Sequence, residues 1–90
     1  MSLQTQAEIE KVSKQVSDLL IAKNQSYGDS ALHPVRIFSK ADSVEQLLVR
    51  IDDKLSRIHN NQSWPGDNDI DDLIGYLILL KIAKERNAQA

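Results

Sequence analysis

Cysteine is absent from this chain of 90 residues. That excludes a disulfide or a thiolate-bound metal as a staple, and fits a reducing cytosol. No apolar run is long enough to cross a bilayer, so no membrane partner is expected. The N-terminus lacks a basic segment followed by an apolar one, so no secretory signal is expected. An excess of basic charge is missing too: 11 Lys and Arg face 13 Asp and Glu, a net charge of −2. Bulk nucleic-acid binding needs a basic face and is not expected. Internal repeats, low-complexity segments and strand patterning are also absent, because the β-branched residues fall at helical spacing. A chain this short makes one domain, spanning 1–90, whose own core is marginal.

What is present reads as three helices, hence an all-α fold, over about 6–23, 43–59 and 68–86. Thr5-Gln6-Ala7-Glu8 has the form of a capping box. Behind it Ile9, Val12, Val16, Leu19 and Leu20 make one apolar stripe. Gly28 breaks the pattern, and Pro34 can open a short helical turn over Val35 to Phe38. Asp42-Ser43-Val44-Glu45 is a second cap, which launches Val44, Leu47, Leu48, Ile51, Leu55 and Ile58 on one face. Residues 60–66 are a loop by composition, and Asp67, Asn68 and Asp69 all offer N-caps for the third helix. That helix carries Ile70, Leu73, Ile74 and a run from Leu77 to Leu80, apolar nearly all round. Two partner helices cannot bury such a helix in a 90-residue monomer. The expectation is self-association, as a homodimer or homotetramer with the third helix at its centre.

Four clusters can carry chemistry, and each also has a plain structural explanation. Lys23, Asn24, Tyr27, Gly28 and Asp29 lie in a polar stretch at the end of the first helix. It is either an ordinary C-terminus, with Lys23 at the negative dipole end and Gly28 or Asn24 left-handed, or a loop whose amides and hydroxyls grip a base or phosphate while Tyr27 stacks. Arg50, Lys54 and Arg57 line one border of the second helix, with Asp53 just beyond. They form either a solvated, salt-bridged face or a row for phosphates with Asp53 on a metal ion. Asp69, Asp72 and Tyr76 share a stripe of the third helix. Acidic residues favour a helix N-terminus, but a carboxylate within a greasy helix needs water, a cation or a metal. Two carboxylates one turn apart suit Mg²⁺. Gly75 beside them costs helix propensity, of order 1 kcal/mol against alanine, which hints at a packing or binding role. Trp64-Pro65-Gly66 either pins a loop or walls a pocket. His33 and His59 show no ligand pattern. Neither a nucleophile elbow nor a phosphate-binding glycine loop is visible.

Taken in order, "KNQSYGDS", "DKLSRI" and "DNDIDDLIGYLILL" resemble the MazG-like, all-α nucleoside triphosphate pyrophosphohydrolase group in its short phage-encoded form. The resemblance spans roughly Lys23 to Leu80. It implies an α-helical oligomer in a bacterial host or phage-infected cell, with sites between helices and acidic side chains holding Mg²⁺ against nucleotide phosphates. The group's later acidic motif matches Asp69 and Asp72. Its earlier pair of glutamates has no counterpart: the matching helix offers Asp53, with Arg50 one turn before and Glu45 two turns before.

Three functions follow as expectations. The first is a Mg²⁺-dependent (deoxy)nucleoside triphosphate pyrophosphohydrolase. Asp53, Asp69 and Asp72 would hold metal, Arg50, Lys54 and Arg57 phosphate, and Lys23, Asn24, Tyr27, Gly28, Asp29 and Tyr76 the nucleotide. The second is an inactive nucleotide sponge that sequesters cyclic or ADP-ribose-type immune signalling nucleotides. The third is a helical adaptor without any ligand.

Overall fold

The computed structural model describes residues 2–34, 36–62, 65 and 68–89. Within them the chain is all-helical: α1 (Leu3–Ser26), α2 (Ser43–His59) and α3 (Asp69–Gln89). No strand occurs among the described residues. Trp64, Gly66, Val35 and Asp67, which figured in the expectations above, lie outside them.

The caps set the helix ends, and the one at the start of α1 differs from expectation. α1 begins one turn earlier than the Thr5 box predicts. The Ser2 hydroxyl accepts from the Thr5 amide at 3.0 Å while the Ser2 carbonyl accepts from Gln6. Ser2 prevails because starting there adds a turn of backbone hydrogen bonds and still leaves a hydroxyl on an orphan amide. Glu8, free of capping, accepts from Gln4 Nε2. At the other end α1 runs on to Ser26. Gly28 then takes φ +63° and Asp29 φ +61°, and the Asp29 amide reaches back to the Asn24 carbonyl at 3.1 Å. This six-to-one bond around a left-handed glycine is a Schellman ending.

Asp42 caps α2 as expected, its carboxylate accepting from the Glu45 amide at 2.8 Å. For α3 the cap is Asn68, whose side-chain oxygen accepts from the Asp71 amide. Of the helical turn expected after Pro34, the described part, 36–38, is irregular chain and bend. Residues 29–33 turn instead, with the Leu32 and His33 amides both on the Asp29 carbonyl.

α3 is the centre of the packing, with α2 along it and α1 touching it over a shorter length. Leu47, Leu79 and Ala83 form the core, with Leu20, Leu32, Val44, Tyr76 and Leu80 packed around them. Leu20 of α1 packs against Gly75: a Cβ there would stand 3.2 Å from Leu20 Cδ1. Much of the apolar pattern stays uncovered. Val16 is the buried residue of α1, whereas Ile9, Val12 and Leu19 of its stripe are exposed, as are Ile70, Leu77 and Ile78 of α3.

Candidate functional site

The first turns of α3 carry three aspartates, and two lysines from the other helices meet them. Lys54, from α2, places its Nζ 3.1 Å from Asp69 Oδ1 and 3.0 Å from Asp72 Oδ2. Lys23, from the last turn of α1, donates to Asp72 Oδ1 at 2.9 Å. Both oxygens of Asp72 are therefore engaged, and one carboxylate ties all three helices together. The cluster is largely withdrawn from water: the side chains of Lys54 and Asp69 are 13% and 8% exposed. Lys23 stays half open at 44%.

These pairings decide the protonation states. Burial is the largest influence on Asp72 and pushes its pKa up, but hydrogen bonds and charge from Lys23 and Lys54 outweigh it and leave the pKa below the ordinary 3.8. Burial also acts most strongly on Lys54, lowering its pKa. Asp72 and Asp69 together reverse that and hold it above 10.5. For Lys23 the hydrogen bond to Asp72 dominates and raises the pKa. Asp72 is thereby favoured as the carboxylate, and Lys23 and Lys54 as ammonium ions.

Beside it, between α1 and α3, lies a cleft of about 260 Å³, just under the roughly 300 Å³ at which small-molecule sites begin. Its apolar wall includes Val16, Leu19, Leu20 and Leu79, and Gly75 lies in its lining. Its polar lining includes Lys23, Asn24, Tyr27, Arg50, Asp72 and Tyr76, all six expected from sequence to touch a nucleotide, its phosphate or its metal. The α1 terminus is the plain helix ending expected of it, and part of the same stretch also lines the cleft. Gly28 and Asp29 form the helix ending and stay out of the cleft lining, while Lys23 and Asn24 in the last turn and the cap residue Tyr27 line it.

The basic row of α2 divides. Arg50 is exposed and lines the cleft. Lys54 is taken up by the aspartates. Arg57 lies with Asp69 on a separate groove at the far end of α2. Asp53 is exposed and lines neither. Ser30, whose hydroxyl belongs to the polar stretch after α1, also lines the cleft, and Asp71 and Ala31 complete it without having been singled out as ligand contacts. Asp71 had a visible signal, its place in the acidic run. The apolar wall had one too, in the end of the α1 stripe at the polar stretch.

The carboxylates do not fit Mg²⁺ in this arrangement. The ammonium of Lys54 sits between Asp69 and Asp72, where a bridging cation would have to sit. Asp53 does not join them: among the described residues no group of three or more His, Asp or Glu side chains is placed to hold a metal ion.

Comparison with protein-family models, with curated proteins and with solved structures returned no match.

Proposed function

We propose that the chain is a nucleotide-binding protein and that the cleft between α1 and α3 is its site. One observation carries the reading. Side chains from all three helices converge there with the chemistry a nucleotide requires: tyrosines and an apolar wall for a base, an amide for its edge, and two cations for phosphate. The resemblance to the MazG-like group, which rests on many of the same residues, points the same way. Binding without hydrolysis, the behaviour of a sponge, suits the site better than catalysis, because the two aspartates expected to hold metal there, Asp69 and Asp72, are already paired with lysines. The hydrolytic reading requires Lys54 to give up both aspartates to Mg²⁺. A thermal-shift screen of nucleotides with and without Mg²⁺ tests the proposal, since a ligand that binds the folded state raises its melting temperature. Pyrophosphate release from a panel of triphosphates tests hydrolysis. A flat screen together with no release leaves the helical adaptor.

The binding unit is an assembly of copies of this chain. A compact monomer of 10.1 kDa exposes about 5,300 Å², and this one exposes 7048 Å². The surplus is roughly 1,700 Å² per chain, against about 800 Å² per partner in an interface of standard size. The radius of gyration of 14.9 Å likewise exceeds the roughly 12 Å of a compact domain this long. The uncovered apolar side chains lie on α1 as well as on α3, so both helices contribute to the contact. Val16, Leu19 and Leu20 of α1 belong to the cleft wall, so a partner on this stripe stands beside the site.

A further inference from the structure

The charges around the cleft restrict which nucleotide it can take. Its charged lining consists of Lys23, Arg50, Asp71 and Asp72, two cations against two carboxylates. They are not equally available. Asp72 spends one oxygen on Lys54, which lies outside the cleft lining, and the other on Lys23. Lys23 has three donors, uses one on Asp72 and is half exposed. Asp71 is held at the edge by Asn68, which donates to its Oδ2 at 2.8 Å. No ion pair or hydrogen bond engages the Arg50 guanidinium among the described residues. The cleft therefore offers one open guanidinium, with its fork of donors, and one ammonium with donors to spare.

That supply matches one phosphate. A phosphomonoester carries roughly −1.5 to −2 charges at pH 7, and a guanidinium grips it through two parallel hydrogen bonds. A triphosphate would bring two further phosphates with no cation left to meet them and two carboxylates close by. A divalent ion would normally screen that repulsion, but Lys54 holds the position between Asp69 and Asp72.

We infer that the cleft binds a nucleotide bearing a single phosphate per nucleoside, gripped by Arg50 and Lys23 without a metal ion. The inference rests on the nucleotide reading above and narrows it. A 5′-monophosphate and a cyclic phosphodiester both offer a guanidinium two free phosphate oxygens, the diester with the smaller charge, and the ligand set of the test separates them.

The test is calorimetry on the full chain with adenosine, guanosine, cytidine and uridine as nucleosides, as 5′-monophosphates, as cyclic dinucleotides and as 5′-triphosphates. Each is titrated in EDTA and again in Mg²⁺. For at least one base, the monophosphate or the cyclic dinucleotide should bind equally in both buffers. It should bind at least roughly tenfold more tightly than its nucleoside, the worth of a charge-assisted contact, and more tightly than its triphosphate. Arg50→Ala should cut the advantage over the nucleoside by roughly tenfold with helicity preserved, leaving what Lys23 supplies, while Arg50→Lys should restore part of it. Tighter binding of a Mg²⁺-triphosphate, or loss of binding in EDTA, overturns this inference and leaves the nucleotide reading standing. Silence from every nucleoside and nucleotide overturns both.

Discussion

Lys54 Nζ lies 3.0 Å from Asp72 Oδ2, and the same ammonium holds Asp69 at 3.1 Å. One lysine of α2 thus fixes the first turn of α3. A second, Lys23, pins the other Asp72 oxygen to the end of α1. Removing Asp72 strips Lys23 of its carboxylate and leaves Lys54 with Asp69 alone. A fully buried pair broken on one side costs about 3–5 kcal/mol. Here Asp72 is 17% exposed and Asp69 remains, so Asp72→Ala is expected to cost roughly 1–3 kcal/mol. That corresponds to a fall in melting temperature on the order of 10 °C for a domain this small, read by circular dichroism. An unchanged melting temperature would show that the cluster contributes nothing to stability. Loss of stability alone would not distinguish a ligand site from a scaffold, so Arg50, which has no such structural task, is the better probe of function.

The same cluster sets a pH dependence. Asp72 has its pKa lowered in the folded state, so the unfolded chain takes up the proton more readily. Its contribution is present above about pH 4, the unfolded carboxylate range, and is lost as pH falls through the lower folded value. The lysines have theirs raised. Their contribution is complete below the unfolded value, about 10.4, and is lost as pH rises through the higher folded one. Urea midpoints measured from pH 2 to 7 should climb with pH across the acid range. Asp72→Asn should climb less, because its side chain has no proton to lose. Identical acid limbs for the two proteins would refute the assignment.

Two glycines carry different constraints. Gly28 has φ +63° with open space around it, so the objection to a side chain there is conformational. Gly28→Ala should cost about 1–2 kcal/mol, and Gly28→Asn less, since asparagine tolerates the left-handed region. At Gly75 the backbone is helical and the obstacle is Leu20 Cδ1, 3.2 Å from where a Cβ would be. That methyl is the far end of a flexible side chain. Helix propensity favours alanine by about 1 kcal/mol, so Gly75→Ala should fall between neutral and that gain. Chemical denaturation of both variants checks the contrast. A loss at Gly75 as large as that at Gly28 would mean that Leu20 cannot give way and that the glycine is needed for the approach of α1.

The three helices were legible because their signals are local: apolar spacing, an aspartate three residues before an amide in need of a partner, a glycine past the last turn. Six of the expected site residues share a cleft for the same reason, since polar side chains on the inner border of a helix mark a face that has left the core. The Lys23–Asp72 pair joins residues 49 apart, and its geometry depends on how α1 is laid against Gly75, which no single helix encodes. Lys54 looked equivalent to Arg50 and Arg57 on a helical wheel. Only the position of α3 separates one cation on the aspartates from one at the cleft and one beyond it.

Self-association gives the last prediction. Val12 and Leu77 are both about half exposed, at 48% and 47%, on α1 and α3 respectively, so a charge at either should be harmless to an isolated monomer. In an apolar contact between copies, a lysine at the same position would be desolvated without a partner and would oppose assembly by several kcal/mol. Light scattering coupled to gel filtration should find the unaltered chain at a multiple of 10.1 kDa. Val12→Lys and Leu77→Lys should each shift it toward a single chain with helicity preserved. Dissociation by Leu77→Lys alone would confine the contact to α3, and by Val12→Lys alone to α1. A monomeric mass for the unaltered protein at micromolar concentration would mean that the surplus surface is covered by something other than a second copy.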